Sequence, residues 1–462
     1  MKKQIFLFVG LFIWICLFAV WDNEEKEIAS DGAAYDSFGH AVAVSGAYAV
    51  IGAPGDDDMG DDTGSAYIFH RTGTTWSQQQ KIDGPWGSVD QQFGCSVSID
   101  GDYALIGAYQ DDVYVGSAYV YHRSGTTWSL QQKLIPSVGY MGDYFGWSVS
   151  INGDYALIGA LHDNYTLIGA AYIFHRNGTT WTQQQKLTAS DGAASDNFAN
   201  SVSLDGEYAL IGASGDDDLG ANSGSAYLFK RTGTVWTEHT KLHALDGFEY
   251  DEFGISVSIS QDKALIGAWD DDDFGYSSGS AYIFYRTGET WSHLVKLVPN
   301  DGAAYDRFGY SVCISGNYKL VGAYADDDNT GSVYLFNSWL AQTKLTASDA
   351  AVDDNFGNAV SISNNYALIG SFCDDDNGYS SGSVYFYSET LPLPPQNVQI
   401  EIIGNNVHIS WDEILNQTFT MYSSADPYNG FFEDFTGTYG AFSWTAPLNS
   451  NKKFYYVTAT PL

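Results

Sequence analysis

Positive charge is what this chain has least of: 20 Lys and Arg stand against 56 Asp and Glu, a formal net charge of −36. That balance argues against nucleic acid or an anionic membrane surface as partner, and makes cations, or surfaces rich in them, the expected counterparts. Cysteine is scarce too. Cys16, Cys95, Cys313 and Cys373 are scattered along the chain and read as small apolar residues, neither a disulfide framework nor a metal set. No segment beyond the N-terminal one has a convincing helical period, and only 16% of residues are charged. What is plentiful is glycine, with 49 copies, in a 462-residue chain that is 44% hydrophobic and 16% aromatic. Such a chain can bury more than one ordinary core and turns tightly and often, as all-β proteins do.

The chain opens on Lys2 and Lys3 and then runs apolar from Ile5 to Trp21. Residues 1–20 are expected to be a secretory signal peptide, with a single N-terminal anchor as the alternative. Export follows from the first reading, and membrane contact only through such an anchor from the second.

Internal repetition decides the fold expectation. A Phe-Gly pair, or Phe-Ala in one copy, recurs at Phe38, Phe93, Phe145, Phe198, Phe253, Phe308 and Phe356. Each unit reads as four short strands, as in "SVSI" from Ser96, "YALIGA" from Tyr103, "SAYVYHR" from Ser117 and "TWSLQQKL" ending at Leu134. Seven such units fit an all-β, seven-bladed β-propeller over residues 21–388, with a solenoid as competitor.

The chain ends separate the two. A Trp-x4-Lys pattern follows repeats one to six at Trp76, Trp128, Trp181, Trp236, Trp291 and Trp339, and repeat seven lacks it. The missing strand stands at the other end, where "WDNEEKEIASDG" from Trp21 aligns without a gap to "WTQQQKLTASDG" from Trp181. An N-terminal strand is therefore expected to complete the last blade and close the ring. Glu27 departs from the pattern, because the other copies have Leu or Ile there.

Phe-Gly followed about 13 residues later by Ile-Gly-Ala, with Gly52-Ala53-Pro54 complete in the first repeat, resembles the FG-GAP repeat of integrin α-subunit propellers and of secreted microbial relatives. The resemblance implies an extracellular binding platform. It does not carry over the calcium loop of integrin-type repeats, since the connection between strands one and two is here only Ser-Gly-Asn or Asp-Gly-Asp. After a Pro-rich linker at 389–395, residues 396–462 resemble a fibronectin type III sandwich in "NVHISW" ending at Trp411 and "KFYYVTA" from Lys453.

The acids have a pattern of their own. Triplets stand at Asp56, Asp57 and Asp58; at Asp216, Asp217 and Asp218; at Asp270, Asp271 and Asp272; at Asp326, Asp327 and Asp328; and at Asp374, Asp375 and Asp376, all in the loop between strands two and three. Asp31, Asp191, Asp246, Asp301 and Asp349 stand seven residues before the Phe, in the loop entering each blade. Antiparallel blades put both loops on one face of the disc. Repeats two and three lack both elements, with Trp86 and Val138 at the entry position and eroded triplets, so the two behave as partners in one site. Calcium, with six to eight oxygen ligands, suits such a site; the alternative is that the aspartates cap turns and keep the loops solvated.

No asymmetric catalytic constellation is visible, since His70, His122 and His175 recur at one strand position and simply follow the repeat. The expected function is non-catalytic: an exported binding or adhesion module with an extracellular protein or glycan as ligand. A propeller-type hydrolase and a structural surface component are the alternatives.

Overall fold

The computed structural model describes residues 13–17, 20–84, 90–163, 167–338 and 340–390, with C-terminal strands at 399–403, 406–410, 417–424, 432–433, 438–440, 443–447 and 454–461. The chain divides into two compact units, Glu24–Ser388 and Met1–Asn23 with Glu389–Leu462.

The larger unit is a seven-bladed β-propeller. Six four-stranded antiparallel sheets use consecutive strands, as in Val97–Asp100, Tyr103–Ala108, Ser117–Ser124 and Thr127–Leu134. The seventh orders Val360–Ser363, Tyr366–Ser371, Ser383–Thr390 and then Val20–Glu27, so the N-terminal strand supplies its outer edge as expected. The second strand of each blade is buried along nearly its whole length, because neighbouring blades cover both of its faces.

Three sets of contacts repeat from blade to blade, and each also joins blade seven to blade one. A serine on one inner strand accepts the backbone N–H of the next: Ser98 from Ile151, Ser150 from Leu204, Ser203 from Ile259, Ser258 from Ile314 and, across the closure, Ser361 from Val44 at 3.0 Å. The Phe N–H of each blade donates to the preceding blade's second loop, with Phe38 to the Ser381 carbonyl at 3.0 Å closing the circle. On the outer edge the Gln80 amide clips both backbone groups of Trp128, and Glu25 of the N-terminal strand accepts from Trp76 N–H in the same way.

The Phe-Gly and Ile-Gly-Ala motifs are one packing device. A Cβ on Gly212 would stand 2.0 Å from the Gly254 carbonyl of the next blade, and one on Gly370 2.0 Å from the Gly39 carbonyl. Gly254 itself has φ +95°, a left-handed conformation that glycine adopts without penalty. The two motifs are thus the surfaces by which consecutive blades touch.

The smaller unit contains two four-stranded sheets. One orders Gln399–Ile403, Asn406–Ser410, Ser443–Pro447 and Thr438–Gly440; the other orders Ile13–Leu17, Phe454–Pro461, Gln417–Ser424 and Phe432–Glu433. Ile13–Leu17, within the segment read as an export signal, pairs in parallel with Phe454–Pro461. Among the described residues no helix is long and apolar enough to cross a membrane. Trp86, Trp339, Trp411 and most of the Pro-rich linker lie outside the described residues.

Candidate functional site

Each blade's entry loop and second loop lie side by side. In blade four the Gly215 N–H donates to the Asp196 carbonyl at 3.0 Å, which brings Asp191 and Asp216 onto the same ground. The fourth strand, Val235–Leu242, passes underneath and presents Lys241. Its ammonium lies 2.9 Å from Asp191, 2.7 Å from Asp216 and 2.6 Å from Asp218. Tyr227, from the third strand, holds its hydroxyl 2.8 Å from Asp191 Oδ1 and 2.9 Å from Asp216 Oδ2.

The same cluster recurs four times. Lys81 meets Asp31, Asp56 and Asp58 at 2.6–2.8 Å. Lys296 meets Asp246, Asp271 and Asp273 at 2.5–2.9 Å. Lys344 meets Asp301 and Asp326 at 2.8 and 2.7 Å, with Asp327 at 3.9 Å. Lys26, on the N-terminal strand, meets Asp349, Asp374 and Asp376 at 2.6–2.8 Å. Tyr67, Tyr282, Tyr334 and Tyr385 complete these clusters as Tyr227 does.

The members of a triplet have different tasks. The first, Asp216, is 3% exposed and also accepts from Asp218 N–H and the Ser225 hydroxyl. The second, Asp217, faces away and caps its own loop by accepting Asn222 N–H at 2.8 Å; Asp57, Asp272 and Asp375 do the same. The third returns to the lysine in blades one, four and seven, as Asp58, Asp218 and Asp376, whereas in blade six the second, Asp327, lies 3.9 Å from Lys344. In blade five the register is one residue later than the sequence suggests: Asp271 and Asp273 meet Lys296, Asp272 caps the loop, and Asp270 stands outside the cluster.

The expected partnership of triplet and entry acid is therefore seen directly, as is its erosion. Blade two keeps Lys133 with Asp111 and Asp112, and blade three keeps Lys186 with Asp163, while Val138 at the entry position is exposed. What the sequence reading missed is the lysine and the tyrosine. Both were in view, the lysine as the end of Trp-x4-Lys and the tyrosine in "SAYLF".

Electrostatics follow from this arrangement. Burial would lower the Lys241 pKa, but the hydrogen bonds it donates to Asp216 and Asp218 outweigh it and hold the ammonium well above its ordinary value. Burial would raise Asp191, and Lys241 and Tyr227 instead hold it below the usual carboxylate range; Asp31, Asp246, Asp301 and Asp349 behave alike. A second, inner set is pushed the other way. Asp251 accepts Phe248 N–H at 2.7 Å, and burial, with Asp271 adding repulsion, pushes its carboxyl up to about 7. Asp36 and Asp306 are pushed up to about 6 for the same reasons.

The donor set suits a hard cation: the oxygens of Asp349, Asp374 and Asp376 lie within 4.8 Å of one another. The point where they converge is held by the Lys26 ammonium, so calcium would share those oxygens only by displacing a protein cation. His70, His122 and His175, meanwhile, pack at a tilt on Tyr48, Tyr103 and Tyr155 with ring centroids 4.6 Å apart in each pair, one structural role repeated.

The family described as FG-GAP repeat matches residues 21–69, 76–121, 128–174, 181–229, 236–284, 291–336 and 339–387. No curated protein compared with the chain matches it.

Proposed function

Because the chain belongs to the FG-GAP repeat family and its seven copies close into one propeller, we propose that it is an exported, non-catalytic binding or adhesion module. Its working surface is the face carrying the entry loops and second loops. The observation that carries this reading is on that face: above the lysine clusters, some blades and not others place exposed aromatic rings on the loops. Tyr35 and Tyr379 meet across blades one and seven with ring centroids 5.4 Å apart, and Tyr276 and Tyr305 across blades five and six at the same distance. All four are about 60% exposed. Phe248, Phe274 and Tyr250 are exposed nearby. Aromatic rings turned to water on loops held by a rigid scaffold are what a recognition surface needs.

In this reading the lysines, and not calcium, hold the loops. The C-terminal unit, with its fibronectin-like strand pattern, serves as a spacer or attachment domain. The test is retention of the full chain on arrays of matrix proteins and glycans. Tyr276→Ser with Tyr305→Ser is expected to reduce retention, and Thr74→Ala, in an opposite-face turn, to leave it unchanged. The reverse result would put the working surface on the wrong face.

A further inference from the structure

Residues at or next to the strand ends on the loop side of blades three to six line one cavity of about 360 Å³. Its lining includes Trp147, Asn197, Glu252, Ile255 and Tyr310, one or two residues from each of these four blades, which places the cavity at their inner ends, beside the propeller axis. The volume falls in the range of small-ligand sites.

Position by position, the two sets of equivalent residues that supply most of this lining break the repeat. The residue before each Phe is Ser37, Gln92, Tyr144, Asn197, Glu252, Arg307 and Asn355 in turn, and all seven have φ between 52° and 57°. That left-handed conformation favours Gly or Asn, yet only two of the seven are Asn, so the others carry a small backbone strain. The residue two after the Phe is equally varied: His40, Cys95, Trp147, Asn200, Ile255, Tyr310 and Asn358. The symmetric lysine clusters thus surround an asymmetric centre.

Its chemistry is aromatic and polar with its charges tied up. Tyr109 packs on Trp147 at 4.9 Å, and Tyr310 lies between Trp269 at 5.7 Å and Tyr324 at 4.5 Å. Glu252 accepts the Trp269 indole N–H at 2.7 Å. The Arg307 guanidinium donates to the Tyr324 hydroxyl and lies 4.8 Å from the Trp269 ring. Trp147 and Tyr310 are each 37% exposed, so both offer ring surface to an occupant. In a chain of charge −36, a cavity whose lining acid, Glu252, is already engaged by an indole N–H is matched to an uncharged ligand.

We infer that the axial cavity is a binding site for a neutral saccharide, whose C–H faces stack on Trp147 and Tyr310 while its hydroxyls meet Asn197 and Glu252. This rests on the loop-face reading above and names its ligand class. The test uses the full chain, ligand-observed NMR and calorimetry, with neutral oligomers of glucose, galactose, mannose and N-acetylglucosamine as probes and an oligoarginine peptide as comparator. At least one neutral saccharide is expected to bind at up to about 10 mM, and Trp147→Ala and Tyr310→Ala each to weaken it by about tenfold or more. Both variants should keep the wild-type melting temperature, and Tyr285→Ala, on an outer strand, should keep the affinity. Saccharide binding indifferent to both axial variants would overturn the axial site and leave the loop face standing. Binding of oligoarginine alone, lost in Glu252→Gln, would replace the saccharide by a cationic partner. If none of these probes binds and array retention is also absent, the loop-face reading falls as well.

Discussion

The Lys241 ammonium sits 2.7 Å from Asp216, with Asp216 only 5% exposed in its side chain and the lysine 16%. The pair ties the fourth strand to the second loop within one blade. Its partners Asp191 and Asp218 are about half exposed, so they add Coulomb attraction weakened by solvent. Removing the ammonium while leaving the acids strands a buried carboxylate among like charges, a situation more costly than the pair itself is favourable. Lys241→Gln is expected to destabilise the propeller by about 2 kcal/mol. The double variant Lys241→Gln with Asp216→Asn should recover part of that loss in thermal or denaturant unfolding. A single variant as stable as wild type would show the cluster to be ornamental.

Calcium is tested by the same residue. With five ammoniums in place, the melting temperature in millimolar calcium is expected to match that in chelator at equal ionic strength. In Lys241→Ala the vacated carboxylates of Asp191, Asp216 and Asp218 are free to take a divalent ion. A ligand at ten times its Kd adds about 1.4 kcal/mol to the folded state, so calcium should raise the melting temperature of the variant. A calcium-specific rise in the wild type, absent with sodium, would mean that the metal displaces lysine and that the sequence expectation was right.

The fold was legible because repetition is. Seven Phe-Gly pairs and the displaced Trp21 strand contain the blade count and the closure before any side chain is placed. The cluster was half legible. Asp191 and Asp216 vary together across repeats, which marks them as partners, but their common partner lies 25 residues further on, on a strand whose Trp-x4-Lys pattern is equally well explained by strand geometry. An acid run calls for a cation, and sequence alone does not say whether that cation is dissolved or covalently attached. Blade five shows the finer limit: with four aspartates in a row, only the structure tells Asp273 from Asp270. The axial cavity was illegible for the opposite reason, since its residues are those that do not repeat.

Protonation separates the two rings of acid. Asp191 and its equivalents have folded pKa values below the unfolded ones, so their contribution is present above about pH 4 and is lost as pH falls through the lowered values. Asp251 is the reverse. Its folded pKa, about 7, lies above the unfolded value, so its favourable contribution is present below about pH 4 and is lost as pH rises through 7. Stability should therefore be greatest in mildly acid solution. Asp251→Asn, which keeps an acceptor for Phe248 N–H, is expected to raise the melting temperature at pH 8 and to change it little at pH 5. An equal shift at both pH values would mean that Asp251 does not titrate between them.

The closing strand has a defect that can be repaired. In the other blades the residue after the cluster lysine is Ile82, Leu134, Leu187, Leu242, Leu297 or Leu345, all buried; after Lys26 it is Glu27. Burial there, together with Glu25, pushes the Glu27 carboxyl up to about 7. By the same sign rule its ionisation opposes closure as pH rises through 7. Glu27→Leu should replace that opposition by apolar burial, with a gain of about 1–2 kcal/mol, larger at pH 8 than at pH 5. Deleting the chain through Glu27 removes Lys26 from Asp349, Asp374 and Asp376, and exposes the Ser383–Thr390 edge to pairing with other molecules. The truncated chain is expected to melt lower and to form oligomers by light scattering, whereas the Leu variant stays monodisperse and melts higher. A truncated chain with wild-type melting and no oligomers would show that the ring is closed by the inner contacts at Val44 and Phe38 alone.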